Sequence, residues 1–163
     1  MNYVARFSTS AHKLEAYLVR KIRERGVAED ARLDPAAVVE RMVELRYVDD
    51  EAYARARSGS LMRRGYGARR VEQTLRHDGI GDALREDIAP SEYRRREAAI
   101  RLATKRGFGP FAKLELDQAK REKQIAAMAR AGHDFATARL IVESERAEQL
   151  DEWLQEAFEE DTD

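Results

Sequence analysis

Cysteine is absent from this chain, which rules out disulfides, thiolate metal sites and cysteine nucleophiles. Histidine is scarce: His12, His77 and His133 stand far apart, with no second ligand at metal-binding spacing. Each reads as an exposed residue near a helix end. No serine, histidine and acid can be grouped into a nucleophilic triad, so neither enzyme activity nor a metal or cofactor is expected. Gly65-Tyr66-Gly67 and Gly107-Phe108-Gly109 are too short for phosphate loops and follow no apolar strand. They read as helix breaks whose aromatic rings plug between helices. Long hydrophobic runs are missing too. No stretch approaches the roughly 18 apolar residues of a membrane span, and Met1 to Thr9 lacks a basic segment followed by an apolar one. A cytoplasmic protein without a membrane partner is expected, with a monomer as its default state.

Proline is rare, at three in 163 residues, while 43% of the chain is hydrophobic and 37% charged. Strand-favouring residues are sparse against abundant Ala, Arg, Glu and Leu, the mixture of amphipathic helices, and the length is enough to bury a core. The fold class expected is all-α.

A net charge of −1 conceals a polarity. Residues 1–110 hold 23 Lys and Arg against 17 Asp and Glu, whereas residues 111–163 hold 7 against 14. Seven arginines (Arg55, Arg57, Arg63, Arg64, Arg69, Arg70 and Arg76) face only Glu72 and Asp78 over residues 52–80, and from Glu143 onward ten acids face Arg146 alone. Such polarity bears on partners and steering rather than on fold.

Helix punctuation divides the chain. Ser8-Thr9-Ser10 offers N-cap hydroxyls before Leu14, Leu18 and Ile22, and Gly26 ends the pattern, predicting a helix over residues 11–25. Asp34-Pro35 opens a second over 35–46, with Val38, Met42 and Leu45 as its apolar stripe. Asp49-Asp50 caps a third, with Tyr53, Ala56, Ser60 and Leu61 inward, up to Gly65. Gly67 precedes a helix holding Val71 and Leu75, and a short one with Leu84 and Ile88 spans 82–89. Ser91 caps a helix over 92–105, and another over 117–131 carries Ile125, Met128 and Ala129. The last opens beyond Asp134, with apolar positions running on through Leu140, Leu150, Trp153, Leu154 and Phe158 into the acidic tail.

The terminating glycines Gly26, Gly79 and Gly132 are 53 and 53 residues apart, each behind a basic amphipathic helix. Periodicity alone leaves two architectures open: stacked three-helix repeats that complete each other's cores, or an irregular helical bundle.

The run Leu45-Arg46-Tyr47-Val48-Asp49-Asp50-Glu51-Ala52-Tyr53-Ala54 resembles the RecX-family signature in which a Tyr-Leu-Asp-Asp step leads into a helix opening with an aromatic and alanine. The likeness continues through residues 63–80, from Arg63-Arg64-Gly65 through Ala68-Arg69-Arg70-Val71 to Leu75-Arg76-His77-Asp78-Gly79-Ile80. It spans about residues 3–144, strongest in the middle. Ala68 stands where the family has proline, and His133-Asp134-Phe135 replaces the third unit's Gly-Phe close. Only Asn2 to Phe7 precede the first cap, so the first repeat is expected to lack most of its first helix.

The resemblance implies three tandem three-helix repeats in an elongated, curved molecule: 1–48, 49–90 and 91–144, followed by an acidic helix or tail at 145–163. It further implies binding to the groove of a RecA filament and suppression of RecA's ATPase, strand-exchange and coprotease activities. Single- or double-stranded DNA is the other partner to weigh. The expected contact residues are Arg55, Arg57, Arg63, Arg64, Arg69, Arg70, Arg76, Arg94 and Arg95, because guanidinium forks bind phosphates and carboxylates alike. Arg94, Arg95 and Arg96 spread over about 200° of helix, so all three do not serve one contact. The tail's interleaved apolar residues predict a helix docked on the third repeat, with its acids screening the basic middle.

Overall fold

In a computed structural model, residues 8–26 and 33–162 are described, and every regular element among them is helical. The order is α1 (Ala11–Arg25), α2 (Pro35–Glu44), α3 (Asp50–Arg63), α4 (Ala68–His77), α5 (Asp82–Asp87), α6 (Glu92–Arg106), a 3-10 turn (Gly109–Phe111), α7 (Gln118–Arg130), α8 (Phe135–Glu143) and α9 (Ala147–Glu160). Asn2 to Phe7, and with them the expected truncation of a first helix, lie outside the described residues. No described helix is long and apolar enough to cross a membrane.

Caps start these helices where the sequence places them. Ser10 Oγ accepts from the Lys13 amide, Asp34 Oδ1 from the amides of Ala36 and Ala37, and Ser91 Oγ from that of Arg94. The adjacent acids Asp49 and Asp50 divide their work. Asp49 caps α3 through the Ala52 amide, whereas Asp50 reaches the Ala11 amide and caps α1.

Two compact units emerge, one comprising residues up to Ala56 with Leu75–Ile88, the other Arg57–Thr74 with the chain from Ala89. Helices α3 and α4 each contribute to both. In the first unit Leu14, Val39 and Val48 form the core, with Tyr17, Leu18 and Met42 packed around them. Beside it lies a buried polar knot. Asp78 accepts from the Tyr53 hydroxyl at 2.7 Å and faces Lys13 Nζ at 3.4 Å, while its main-chain carbonyl accepts from Ser10 Oγ at 2.5 Å. Burial works against the Lys13 charge, yet its bond to Tyr53 and the Asp78 carboxylate leave its pKa raised.

In the second unit α6, α7, α8 and α9 enclose Ala99, Leu102, Ala103, Ile125, Met128, Ala138, Ile141, Val142 and Leu150. Tyr66 and Phe108 pack against this cluster, so the glycine-flanked aromatics do plug between helices. The tail docks as expected: Leu150 and Ala157 of α9 are fully buried, and α9 packs on α6.

The structure corrects several expectations. On α2 the inward residue is Val39, not Val38, which is 41% exposed, and Leu45 is exposed as well. Two consecutive valines leave the rotation of a short helix undecided. This helix stops at Glu44, and Arg46 takes φ +57 in place of a glycine. On α3 the buried positions are Tyr53, Ala54, Ser58, Leu61 and Met62 rather than Ala56 and Ser60, and on α7 Ala129 is exposed. The last helix does not run into the tail. Ser144 ends α8, with its hydroxyl donating to the Leu140 carbonyl, and Gln149 Oε1 accepts from the amides of Glu145 and Arg146 to restart the chain as α9. His133 is not exposed but buried.

A helix junction flanked by arginines

In the second unit the start of α4 abuts the end of α7. The Gly67 amide donates to the Ala131 carbonyl at 2.9 Å and the Arg69 amide to the Gly132 carbonyl at 3.1 Å. Four amides at a helix start and four carbonyls at a helix end ordinarily lack partners; here one end supplies what the other needs, and the two macrodipoles meet head to tail. Contact this close requires glycine on both sides. A Cβ on Gly67 would lie 2.3 Å from the Gly132 carbonyl carbon, and one on Gly132, whose φ is +98, would lie 2.5 Å from the Arg70 nitrogen.

The first unit contains the same kind of junction. There the start of α1 meets the end of α4, through the Ser10 bond to the Asp78 carbonyl and through Gly79, whose added Cβ would lie 2.2 Å from His12 Cβ. All three periodic glycines have positive φ, at +68, +80 and +98 for Gly26, Gly79 and Gly132.

His133 closes the second junction. Its Nε2 lies 2.9 Å from the Gly65 carbonyl, to which the Nε2–H tautomer donates. Burial lowers its pKa, and the bond to Gly65 and the nearby Asp134 only partly oppose that. Since the folded pKa is depressed, the unfolded chain takes up the proton first as pH falls, so the stability from this residue is present above its ordinary value of 6.5 and lost below it. Wild-type protein should therefore lose more stability between pH 7.5 and 5.5, by urea unfolding, than His133→Gln, whose amide also donates to Gly65. An equal loss in both would show that His133 stays accessible to protons.

Arginines bracket this junction. Arg63 ends α3 and Arg64 follows it, while Arg69 and Arg70 occupy the first turn of α4, so at most seven chain steps, about 25 Å, separate the four. All are exposed, and none has a carboxylate partner among the described residues. Arg64 stacks over Tyr66 at 5.2 Å. Cations in the first turn of a helix oppose its dipole, and α4 carries no acid there. An anionic surface is the natural complement of such a cluster.

The other arginines expected to make contacts are placed differently. Arg55, in the first unit, is held by Glu51 and Asp87, each at 2.9 Å, and Arg76, also there, is exposed with interactions of its own. In the second unit Arg57 is half-buried with interactions of its own. Arg95 donates to the Pro90 carbonyl and sits 3.9 Å from Glu92, while Arg94 has no carboxylate partner among the described residues. Arg96 turns inward, donating to the Trp153 carbonyl at 2.6 Å with its guanidinium 4.6 Å from the Trp153 ring centroid. Sequence reasoning missed Gly67 and His133 as parts of the junction. The only local signal was glycine at both Gly67 and Gly132.

No group of three or more His, Asp or Glu side chains placed to hold a metal occurs among the described residues. The junction and its arginines offer directional hydrogen-bond donors and positive charge, the means of binding an anionic surface.

The family model described as "RecX, second three-helix domain" matches residues 49–87, the stretch that holds α3, α4 and α5. The Regulatory protein RecX of Myxococcus xanthus (strain DK1622) is 28% identical over 156 residues, covering 90% of this chain and 83% of that protein. The Regulatory protein RecX of Agrobacterium fabrum (strain C58 / ATCC 33970) is 32% identical over 127 residues, covering 76% of this chain and 68% of that protein. With this identity and coverage, joined to the domain match over α3, α4 and α5, of which α4 takes part in both junctions, the chain belongs to the RecX family.

Proposed function

We propose that this chain is a non-catalytic regulatory protein that binds a RecA-type recombinase filament and restrains its ATPase, strand-exchange and coprotease activities. In this reading residues 1–48, 49–90 and 91–144 are successive three-helix repeats, with the acidic helix of 145–163 appended. The repeats lie along the filament groove and touch neighbouring protomers, so that ATP-linked states no longer exchange freely. Bridging of this kind needs no chemistry beyond binding. Both relatives are named regulatory proteins. The observation that carries the reading is the set Arg63, Arg64, Arg69 and Arg70, exposed, without carboxylate partners among the described residues, and held on helix ends that the junction immobilises.

The same four guanidiniums suit DNA phosphates, which makes coating of single- or double-stranded DNA the second reading. The two differ in salt response, because phosphate binding releases counterions and fades steeply as salt rises. The test is the single-stranded-DNA-dependent ATPase rate of RecA filaments, measured as this protein is added from well below one copy per protomer. Strong inhibition at such ratios, surviving moderate salt, is expected. Arg69→Glu with Arg70→Glu should keep the helical circular dichroism and weaken inhibition on the order of tenfold, as expected for reversing two unpaired charges at an interface. Inhibition only at DNA-coating concentrations would favour the second reading, and full inhibition by the double variant would remove these arginines from the site.

A further inference from the structure

The seam between α6 and α9, within the second unit, carries an open groove. Two adjoining hollows of 600 and 410 Å³ share Glu97 and run along it. Tyr93, Ile100 and Thr104 of α6 and Leu154 and Phe158 of α9 line its floor. Phe158 keeps 50% of its surface exposed, although its ring meets Tyr93 edge-on at 5.6 Å between centroids. Asp161 fixes one end by accepting from the Tyr93 amide at 3.2 Å, which ties the close of α9 to the first turn of α6. From Tyr93 to Thr104 the floor extends about 17 Å, three turns of helix.

The two lips differ in charge. Arg94, Arg101 and Lys105, at i, i+7 and i+11, fall within about 40° of arc and form the α6 lip. Arg101 is held by Glu97 at 2.9 Å, whereas Arg94 and Lys105 have no carboxylate partner among the described residues. On α9 the exposed residues next to Leu154 and Phe158 around the helix are Asp151 and Gln155. A floor that is apolar but for Thr104, between an α6 lip carrying Arg94 and Lys105 with Glu97 between them and an α9 edge bearing Asp151 beside it, suits an amphipathic helix laid into the groove with its apolar stripe down.

We propose that this groove docks an amphipathic helix of a partner protein, its acidic edge along Arg94 and Lys105 and its other edge, basic or neutral, along Asp151. The proposal does not rest on the recombinase reading and needs no filament, although the α6 lip adjoins the arginine cluster, Arg101 donating to the Arg63 carbonyl at 3.4 Å.

The test uses the full-length protein and a fluorescein-labelled peptide of about 16 residues, four to five turns, with a leucine stripe, glutamates along one edge and lysines along the other. Fluorescence anisotropy should show saturable binding of this peptide and none of a scrambled peptide of identical composition. Arg94→Glu with Lys105→Glu changes only exposed residues and should weaken binding roughly tenfold or more, and Phe158→Asp should do the same through the floor. Thermal melts of both variants check that folding is retained. Equal binding of the ordered and scrambled peptides, or undiminished binding by the charge-reversed variant, would overturn the proposal. So would sedimentation showing that the protein self-associates through these residues, since the groove would then seat a second copy.

Discussion

Gly132→Ala is expected to lower the thermal midpoint by roughly 6–12 °C. Two effects combine. A non-glycine residue at φ +98 is strained, by about 1 kcal/mol or more. The new Cβ also meets the Arg70 nitrogen at 2.5 Å, where the neighbour is helix backbone that cannot swing aside. Overpacking of this kind costs about 1–3 kcal/mol. Alanine restricts the unfolded chain and returns up to about 1 kcal/mol. The net loss is about 3 kcal/mol, and each kcal/mol shifts a chain of this size by roughly 2–4 °C. Gly26→Ala supplies the comparison, since its φ is +68 but no atom of the described residues lies within 4 Å of the added carbon, so strain is the effect expected there. Differential scanning calorimetry of the two variants, with hydrogen exchange at the amides of Gly67 and Arg69, separates them. Loss of protection at those amides in Gly132→Ala alone is the expected signature. Equal midpoints for the two variants would mean that the junction yields without cost.

Leu150→Ala should cost about 3 kcal/mol. Leu150 has no exposed surface and belongs to the central cluster of the second unit with Leu102, Met128 and Ile141. Leucine-to-alanine changes in such sites cost about 2–5 kcal/mol, depending on how far the cavity collapses. Urea unfolding followed by tryptophan fluorescence reads this directly, because Trp153, the chain's one tryptophan, sits on the same helix against the same cluster. A loss below about 1 kcal/mol would mean that α9 is peripheral to the fold. The size of this effect bears on the idea that the acidic tail screens the arginines. Deleting residues 145–163 would uncover the core, remove the Trp153 partner of Arg96 and take away the Asp161 bond to Tyr93. Changes in DNA affinity would then mix electrostatics with unfolding. Asp151→Lys with Glu152→Lys, both exposed, leaves the docked face intact. Stronger low-salt DNA binding by that variant is the outcome screening requires.

Helix starts were legible because a cap is a local transaction. Ser10, Asp34, Ser91 and Asp134 each bind an amide two or three residues ahead. The breaks at Gly26, Gly79 and Gly132 were legible for a similar reason, since positive φ leaves few residues besides glycine. Where the chain used other means, the pattern misled. Arg46 takes a left-handed conformation without glycine, and the break between α8 and α9 is made by the Gln149 side chain. Helix rotation was the weakest point. Val38 and Val39 fit an apolar stripe equally well, and only contact with Leu14 and Val48 distinguishes them.

What the sequence determined by itself was therefore whatever depends on near neighbours in the chain: an all-helical fold, most helix boundaries, the placement of charge and the exclusion of cysteine chemistry. Tertiary structure decided the rest. It set Gly67 against Gly132, 65 residues away, turned His133 from the surface into the junction, and assigned Arg55 and Arg96 to internal partners while leaving Arg63, Arg64, Arg69 and Arg70 without a carboxylate partner among the described residues. The reason is physical. Caps and turns are satisfied within a few residues, whereas burial, close backbone approach and charge pairing depend on which surfaces meet, and no short stretch of sequence records that.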